Sequence, residues 1–160
     1  MTNFLLIGDA LKRNAYKYSV KTALREGARV VTYGELNQRV NRLANGLLAA
    51  GFCQGAAAAL LVGNRIEHFE ILFALAKIGV IAIPLDVKWR ALEIGSTLSS
   101  LDPAAVFLDP ACETEFAAAQ KNHRLDRIRP FVVGAKSFEA LLENSSSDEP
   151  KAEVAEDDPI

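Results

Sequence analysis

The chain has 160 residues, 50% of them hydrophobic and 24% charged, which is typical of one compact domain and excludes a fibrous or largely disordered protein. Its 18 basic and 20 acidic side chains form no dense basic stripe, so nucleic acid is not an expected partner. The first residues lack the basic region of a secretory signal, and the longest apolar stretch, residues 71–85, is shorter than the ~20 residues of a membrane span, so we expect a cytoplasmic chain without a transmembrane segment.

The chain opens with the patterns of a helix and a β-hairpin. Apolar residues recur at roughly helical spacing over residues 3–16, which predicts an amphipathic helix. Residues 20–24 and 29–32 are typical of two short strands, and Glu26-Gly27 between them favours a turn. We expect the two strands to pair as a small hairpin.

A capping box marks the start of the next helix. The Thr32 hydroxyl can accept a hydrogen bond from the backbone N–H of Glu35, whose carboxylate can accept one from the N–H of Thr32, so a helix is expected to begin at Tyr33. Gly51 is expected to end this helix in the left-handed conformation. The apolar stripe between them has helical spacing and consists of Leu36, Val40, Leu43 and Leu47.

The middle of the chain predicts two buried parallel strands joined by a helix. Residues 56–62 form a continuous apolar run, typical of a strand covered on both faces, and residues 80–83 form a second. Between them, residues 65–78 predict a helix that is apolar on almost every side, with Asn64 as its N-cap and Gly79 at its end. Two strands joined by a helix in this way form a right-handed βαβ unit, the defining element of an α/β fold.

The same alternation continues towards the carboxyl-terminal end. We expect a helix over residues 90–101, a buried strand over residues 105–108, a helix from Pro110 to about Lys121 and a strand over residues 131–133, followed by a short helix. The predicted fold class is therefore α/β, with a mostly parallel sheet flanked by helices.

The composition changes after residue 143. Residues 144–160 hold six acidic side chains against one lysine, so we expect an acidic, solvated linker there and a folded α/β unit over residues 1–143. A linker ordinarily connects two folded parts, which indicates that the chain is the front piece of a longer protein. Cys53 and Cys112 lie far apart without a CxxC pair, which excludes a disulfide framework and predicts two buried, unpaired thiols.

The sequence carries no common catalytic motif, and we expect no catalytic residue and no metal ligand in it. It has no glycine-rich phosphate loop, no GxSxG and no HExxH. His68 is expected to be a hydrogen-bonded structural histidine, and His123 is expected to be solvated. Asp86 follows a predicted buried strand, where open α/β sheets bind ligands, but a role as a turn or helix-cap residue is equally well supported.

Lys88, Trp89 and Arg90 form the one compact group that could hold an anion against an aromatic surface. The two cations can pair with a phosphate, and the only indole of the sequence can stack on a planar base. The alternative is that Trp89 covers an apolar edge while both cations are solvated, and the residues alone favour that alternative.

Several short segments, taken in order, resemble a known family. Residues 31–36 (VTYGEL) are similar to its T-Y-x-E-L segment, and residues 79–86 (GVIAIPLD), followed by Glu93, are similar to its G-A-x-x-x-P-L-N segment. Residues 42–47 (RLANGL) lie between them in the matching order. Over residues 1–143 the set resembles the N-terminal region of the adenylate-forming (AMP-binding) superfamily, which includes acyl-CoA synthetases and fatty-acid-CoA ligases.

The resemblance implies a function for the complete protein. It implies that a carboxylic or fatty acid is activated with ATP and Mg²⁺ to an acyl-adenylate, and that the acyl group is then transferred to CoA. Residues 157–160 (DDPI) resemble the segment that precedes the family's phosphate loop, so the adenylate site and the catalytic lysine are expected in the remainder of the synthetase. The chain alone is therefore expected to be inactive.

The resemblance also implies one site for a cofactor. In some CoA ligases a cation at the position of Lys88 lies near the phosphates of CoA, which makes Lys88, with Trp89 and Arg90 beside it, a candidate contact of the CoA nucleotide. Two other interpretations remain: a non-catalytic flavodoxin-like binding module, for which the sequence lacks a phosphate loop and an acidic triad, and a truncated structural fragment.

Overall fold

A computed structural model of the chain describes residues 7–152 and residue 154. Helices and strands alternate along it, and one 3-10 turn, Pro110–Cys112, precedes the fifth helix. The elements are α1 (Ile7–Tyr18), β1 (Thr22–Glu26), β2 (Arg29–Thr32), α2 (Tyr33–Ala49), β3 (Ala57–Leu61), α3 (Ile66–Lys77), β4 (Ile81–Pro84), α4 (Ala91–Leu101), β5 (Ala105–Leu108), α5 (Glu113–His123), β6 (Arg129–Val132) and α6 (Lys136–Glu143).

Four strands form one parallel sheet in the order β4-β3-β5-β6, and β1 and β2 pair separately as an antiparallel hairpin. The chain passes from β3 to β4 on one side and returns beyond β3 to β5, so the strand order reverses between β3 and β5. The predicted α/β class with a parallel sheet flanked by helices is confirmed. In the described part of the chain, no helix has both the length and the hydrophobicity needed to cross a bilayer.

Successive residues of the central strands face opposite sides of the sheet and contribute to two separate cores. Ala58 and Leu60 of β3 pack with the apolar residues of α2, α3 and α6. Ala59 and Leu61 pack with those of α4 and α5 on the opposite face. Both faces of the sheet are covered, and this explains why its strands are continuous apolar runs rather than alternating ones.

The capping box at the start of α2 is confirmed. The N–H of Thr32 donates to Oε2 of Glu35 at 2.8 Å, and the N–H of Glu35 donates to the Thr32 hydroxyl at 3.3 Å. Gly51, just beyond the helix, has a φ of 88°, the left-handed conformation expected for it. The predicted first helix corresponds to α1, and residues 3–6 of that prediction lie outside the described residues.

The start of α3 differs from the prediction. Asn64 is predicted as the N-cap, but Arg65 occupies that position and makes no side-chain cap hydrogen bond. Oε2 of Glu26, from the hairpin, accepts a hydrogen bond from the N–H of Ile66 at 3.1 Å instead. The helix start is therefore satisfied by a carboxylate distant in sequence, which no local pattern indicates.

The prediction of two buried cysteines is half correct. Cys112 is buried, but Cys53 is exposed, and both thiols are free. Phe52, which is 4% exposed, takes the buried position between α2 and β3, and the turn leaves Cys53 in solvent.

Residues 145–149 do not form the solvated segment that their composition predicts. Nδ2 of Asn45 on α2 donates to the carbonyl oxygens of Ser146 and Asp148, both at 2.9 Å. The segment therefore lies along α2 rather than extending into solvent. Composition did not reveal this contact, because its backbone carbonyls, rather than apolar side chains, attach it to the helix.

Candidate functional site

The predicted site residues lie in the turn between β4 and α4, at the carboxyl end of the sheet. Asp86 shapes this turn: its Oδ1 accepts from the N–H of Lys88 at 2.9 Å, and its carbonyl oxygen accepts from the N–H of Trp89 at 3.0 Å. The turn role, one of the two that the sequence leaves open for Asp86, is thus observed. Arg90 follows as the last residue before α4, where its N–H donates to Oε2 of Glu93 at 2.8 Å.

Contacts within the domain hold Trp89 and Arg90. Trp89 is half-buried and packs against the core on the α4 and α5 side of the sheet. Glu115 accepts two hydrogen bonds at 2.9 Å: Oε2 accepts one from the N–H of Ala91, and Oε1 accepts the other from Nη1 of Arg90. Both bonds lower the pKa of Glu115, and the bond from Ala91 has the larger effect. The Arg90 side chain remains 78% exposed, so its ion pair is screened by solvent and is weak.

Lys88 is the cation of this turn that carries no counter-ion. Its side chain is exposed and forms no ion pair within residues 7–152. The turn therefore presents two exposed cations, Lys88 and Arg90, on either side of an indole that is partly covered by the core. Their role in binding a nucleotide stays a prediction.

A cavity of about 250 Å³ lies beside this turn, beyond the carboxyl ends of β3 and β4. Its wall includes His68, whose Nδ1 lies 2.9 Å from the carbonyl oxygen of Val62. A carbonyl can only accept, so Nδ1 carries the hydrogen and Nε2 is the remaining polar atom of the ring. This bond confirms the expected structural role of His68.

His123 is not solvated as predicted. It is half-buried, and its ring lies against the backbone of α4 at Gly95. A β-carbon added to Gly95 would lie 2.1 Å from Cδ2 of His123. The glycine makes room for the ring, a long-range relation that the polar sequence around His123 does not indicate.

An ion-pair chain occupies the crevice between β3 and β5, where the strand order reverses and α/β sheets commonly bind ligands. Arg65 bridges Oδ2 of Asp109 at 3.4 Å and Oε2 of Glu67 at 2.8 Å, and Arg29 of the hairpin also pairs with Glu67. Burial opposes the ionisation of Glu67, but hydrogen bonds, led by that of Arg29, outweigh it and lower its pKa. This crevice is therefore filled by the chain's own charges.

A second charged network lies at the carboxyl-terminal end of α3. The side chain of Lys77 is 4% exposed, and its ammonium donates to Oδ1 of Asn37 at 2.8 Å, Oδ1 of Asn41 at 2.7 Å and Oε2 of Glu149 at 2.6 Å. Three acceptors thus satisfy its three donors. Lys77 lies within the apolar stretch of residues 71–85, and its immediate neighbours do not indicate these contacts. The overlooked signal is the polar series Asn37, Asn41 and Asn45, at four-residue spacing on α2.

The resemblance to the adenylate-forming superfamily implies ATP, Mg²⁺ and CoA, and the described residues fit only CoA. Within the described ranges, no cluster of three or more histidine, cysteine, aspartate or glutamate side chains could hold a metal ion, and the sequence has no phosphate loop for ATP. The exposed ammonium of Lys88, which has no counter-ion among residues 7–152, fits a phosphate group such as those of CoA.

Comparisons with known proteins agree with this architecture. The sequence model of the family described as AMP-binding enzyme matches residues 11–160. A feruloyl-CoA synthase from an Amycolatopsis species is 37% identical over 107 residues, which cover 67% of this chain and 22% of that protein. The long-chain-fatty-acid–CoA ligase FadD13 of Mycobacterium tuberculosis is 29% identical over 128 residues, which cover 80% of this chain and 25% of that protein.

Solved structures show the same relation. The N-terminal domain of FACL13 from Mycobacterium tuberculosis superposes with a TM-score of 0.87 at 28% identity, over 97% of this chain and 39% of that one. The chain spans about a quarter of the length of the sequence relatives that it matches. With nearly its whole length matched by one family and by the fold of one N-terminal domain, the chain belongs to the AMP-binding enzyme family.

Proposed function

We propose that this chain is the N-terminal part of an ATP-dependent acyl-CoA ligase, which activates a carboxylic acid as its adenylate and passes the acyl group to CoA. The observation that carries the proposal is its superposition over 97% of its length on the N-terminal domain of FACL13. The relatives named above suggest an aromatic or fatty acid as the substrate. The partners are then the acid, CoA and the remainder of the synthetase.

The proposal assigns scaffolding rather than chemistry to these residues. Stabilising the charge of a transferring phosphoryl group needs preorganised donors and cations on the nucleotide. The described residues offer neither a metal cluster nor a phosphate loop, so ATP and Mg²⁺ are held by other parts of the enzyme and this chain alone does not catalyse. Its two free thiols, one of them exposed, suit the reducing cytoplasm, which is the proposed location.

Lys88 supplies the proposed contact with CoA. Its ammonium is exposed and has no counter-ion in the described part of the chain, whereas Arg90 would have to exchange a weak pair with Glu115 for the ligand. Lys88 is therefore the principal contact and Arg90 the secondary one. Trp89, on the edge of the core between them, reports on the binding of an anion there.

A chimera tests the function directly. Residues 11–160 of this chain replace the matching segment of FadD13, and formation of fatty acyl-CoA from a long-chain fatty acid, ATP and CoA is measured. We expect the chimera to form the thioester, and we expect FadD13 without the segment, and this chain alone, to form none. A chimera that folds cooperatively yet forms no thioester contradicts the proposal.

A further inference from the structure

One side of α2 carries a row of asparagines that is covered by residues 145–149, and Asn41 in its middle is only 2% exposed. Asn37, Asn41 and Asn45 are four positions apart, so they lie one above the other on one side of the helix. Lys77 of α3 lies beside the row and donates to the first two of them. We call these four side chains, Asn37, Asn41, Asn45 and Lys77, the asparagine clasp.

The clasp binds residues 145–149 mainly through their backbone. Asn45 holds two carbonyl oxygens, those of residues 146 and 148, and Nδ2 of Asn41 donates to the carbonyl oxygen of Ser147 at 2.9 Å. Recognition of this kind fixes the path of the chain and depends little on its side chains. Glu149 is the one residue of the segment whose side chain the clasp binds: its Oε1 accepts hydrogen bonds from Nδ2 of Asn37 at 2.9 Å and from Nδ2 of Asn41 at 3.2 Å.

The buried Lys77 takes its counter-ion from this segment. A buried ammonium is costly unless it is paired and fully hydrogen-bonded. Glu149 supplies the only carboxylate that forms an ion pair with Lys77 within the described residues, at 2.6 Å. Without residues 145–149, Lys77 would keep two amide oxygens and lose its counter-ion.

We propose that the asparagine clasp is a positioning device for the ligase reaction: it fixes residues 145–149 on α2 and thereby sets where the chain enters the catalytic part of the enzyme. The inference rests on the proposed function. Glu149 lies eight positions before residue 157, so an anchored Glu149 limits residue 157 to a radius of at most about 29 Å. Small displacements of a group that stabilises the transition state lower the rate even when the cause lies far from the chemistry.

Hydrogen exchange on the 160-residue chain tests the clasp itself. Asn45→Ala removes two hydrogen bonds from a half-buried site of α2, and Gln38→Ala, at an exposed position of the same helix, is the matched control. We expect Asn45→Ala to speed amide exchange over residues 145–152 about tenfold and to leave that of β3 unchanged. Equal exchange in Asn45→Ala and Gln38→Ala overturns the clasp.

Kinetics of the FadD13 chimera test the positioning role. At a temperature where all variants are fully folded, we expect Asn45→Ala to lower kcat about tenfold with KM for CoA unchanged, and Gln38→Ala to change neither. Lys77→Met should also lower kcat. If the Lys77→Met chimera does not fold, the result for Asn45→Ala decides the question. An active chimera whose kcat is insensitive to Asn45→Ala overturns the positioning role, whereas an unaltered chimera without activity overturns the proposed function.

Discussion

Lys77 is a buried lysine whose ammonium has three hydrogen-bond acceptors. Lys77 is almost fully removed from solvent, and burial is the leading influence on it and lowers its pKa. The amide oxygens of Asn37 and Asn41 and the carboxylate of Glu149 replace the water that the ammonium has lost, and these contacts favour its charged form. The ion pair with Glu149 therefore offsets part of the cost of burying Lys77 and attaches residues 145–149 to α3.

The attachment predicts a dependence of stability on pH. Burial raises the pKa of Glu149, but hydrogen bonds from Asn37, Lys77 and Asn41 outweigh it and hold the pKa below the usual value of 4.5. A carboxylate with a depressed folded pKa stabilises the fold above the unfolded pKa, and this stabilisation is lost as the pH falls through the folded pKa.

Urea unfolding at several pH values measures this contribution. We expect Glu149→Gln to lower the free energy of unfolding by about 1–2 kcal/mol at pH 7, with the difference shrinking steadily below pH 4.5. Glu143→Gln, a substitution at an exposed position at the end of α6, is the control and should leave the free energy of unfolding unchanged both at pH 7 and below pH 4.5. A Glu149→Gln difference that is constant with pH argues against an ionised Glu149 in the clasp.

Lys88 gives a second prediction at the residue scale. CoA is titrated into the chain while the fluorescence of Trp89, the only indole, is recorded, and ATP and a fatty acid are titrated separately. We expect a saturable response to CoA, weakened about tenfold by Lys88→Ala through the loss of one charge-assisted bond and unaffected by Lys121→Ala at an exposed position of α5. If CoA gives no response, the turn is a structural element and its assignment as a CoA contact is wrong.

At the scale of the elements, the contact of α2 with α6 depends on one glycine. A β-carbon on Gly46 would lie 2.2 Å from the carbonyl oxygen of Leu141, a backbone atom of α6 that cannot rotate away. Gly46→Ala should therefore destabilise the chain by about 1–3 kcal/mol, although an unhindered helical glycine gains about 1 kcal/mol from the same change.

A reversed substitution provides the control for Gly46. Ala118→Gly at an exposed position of α5 measures helix propensity alone and should cost about 1 kcal/mol in urea unfolding. If Gly46→Ala instead stabilises the chain, then α2 and α6 do not pack as closely as described.

The elements also show which features local sequence can predict. Thr32 and Glu35 are three residues apart, and their capping box predicts the start of α2 to the residue. The start of α3 depends on Glu26, which is 40 positions from Ile66, and the path of residues 145–149 depends on Asn45, which is about a hundred positions away. Periodicity and capping patterns describe one helix or strand at a time, so they carry no information about partners that are distant in the sequence.

Some features of the candidate site can likewise be predicted from local sequence, and others depend on distant residues. Its place at the carboxyl end of a parallel sheet follows from the strand pattern, and so does the grouping of Lys88, Trp89 and Arg90 in one turn. The pairing of Arg90 with Glu115 and the contact of Trp89 with the core depend on α5, which the local pattern does not place beside the turn. The sequence therefore predicts where the two cations lie, but not that Arg90 pairs with Glu115 while Lys88 has no counter-ion in the part of the chain that the structure describes.

In the whole molecule, helices cover both faces of the parallel sheet and form one hydrophobic core on each face. Two charged networks lie outside these cores: Arg65 pairs with Asp109 at the carboxyl ends of β3 and β5, and Lys77 pairs with Glu149 of the segment 145–149. The supporting role proposed above for this chain, and the proposed phosphate contact of Lys88 in the β4–α4 turn, both agree with this arrangement.

Fatty-acid-dependent exchange of pyrophosphate into ATP by the FadD13 chimera is the decisive measurement for the proposed function, because it reports adenylate formation independently of CoA. We predict exchange by the chimera well above that of FadD13 lacking the segment, and none by the 160-residue chain alone. A chimera that unfolds cooperatively yet exchanges no more than the deletion variant would contradict the assignment of this chain to the N-terminal part of an acyl-CoA ligase.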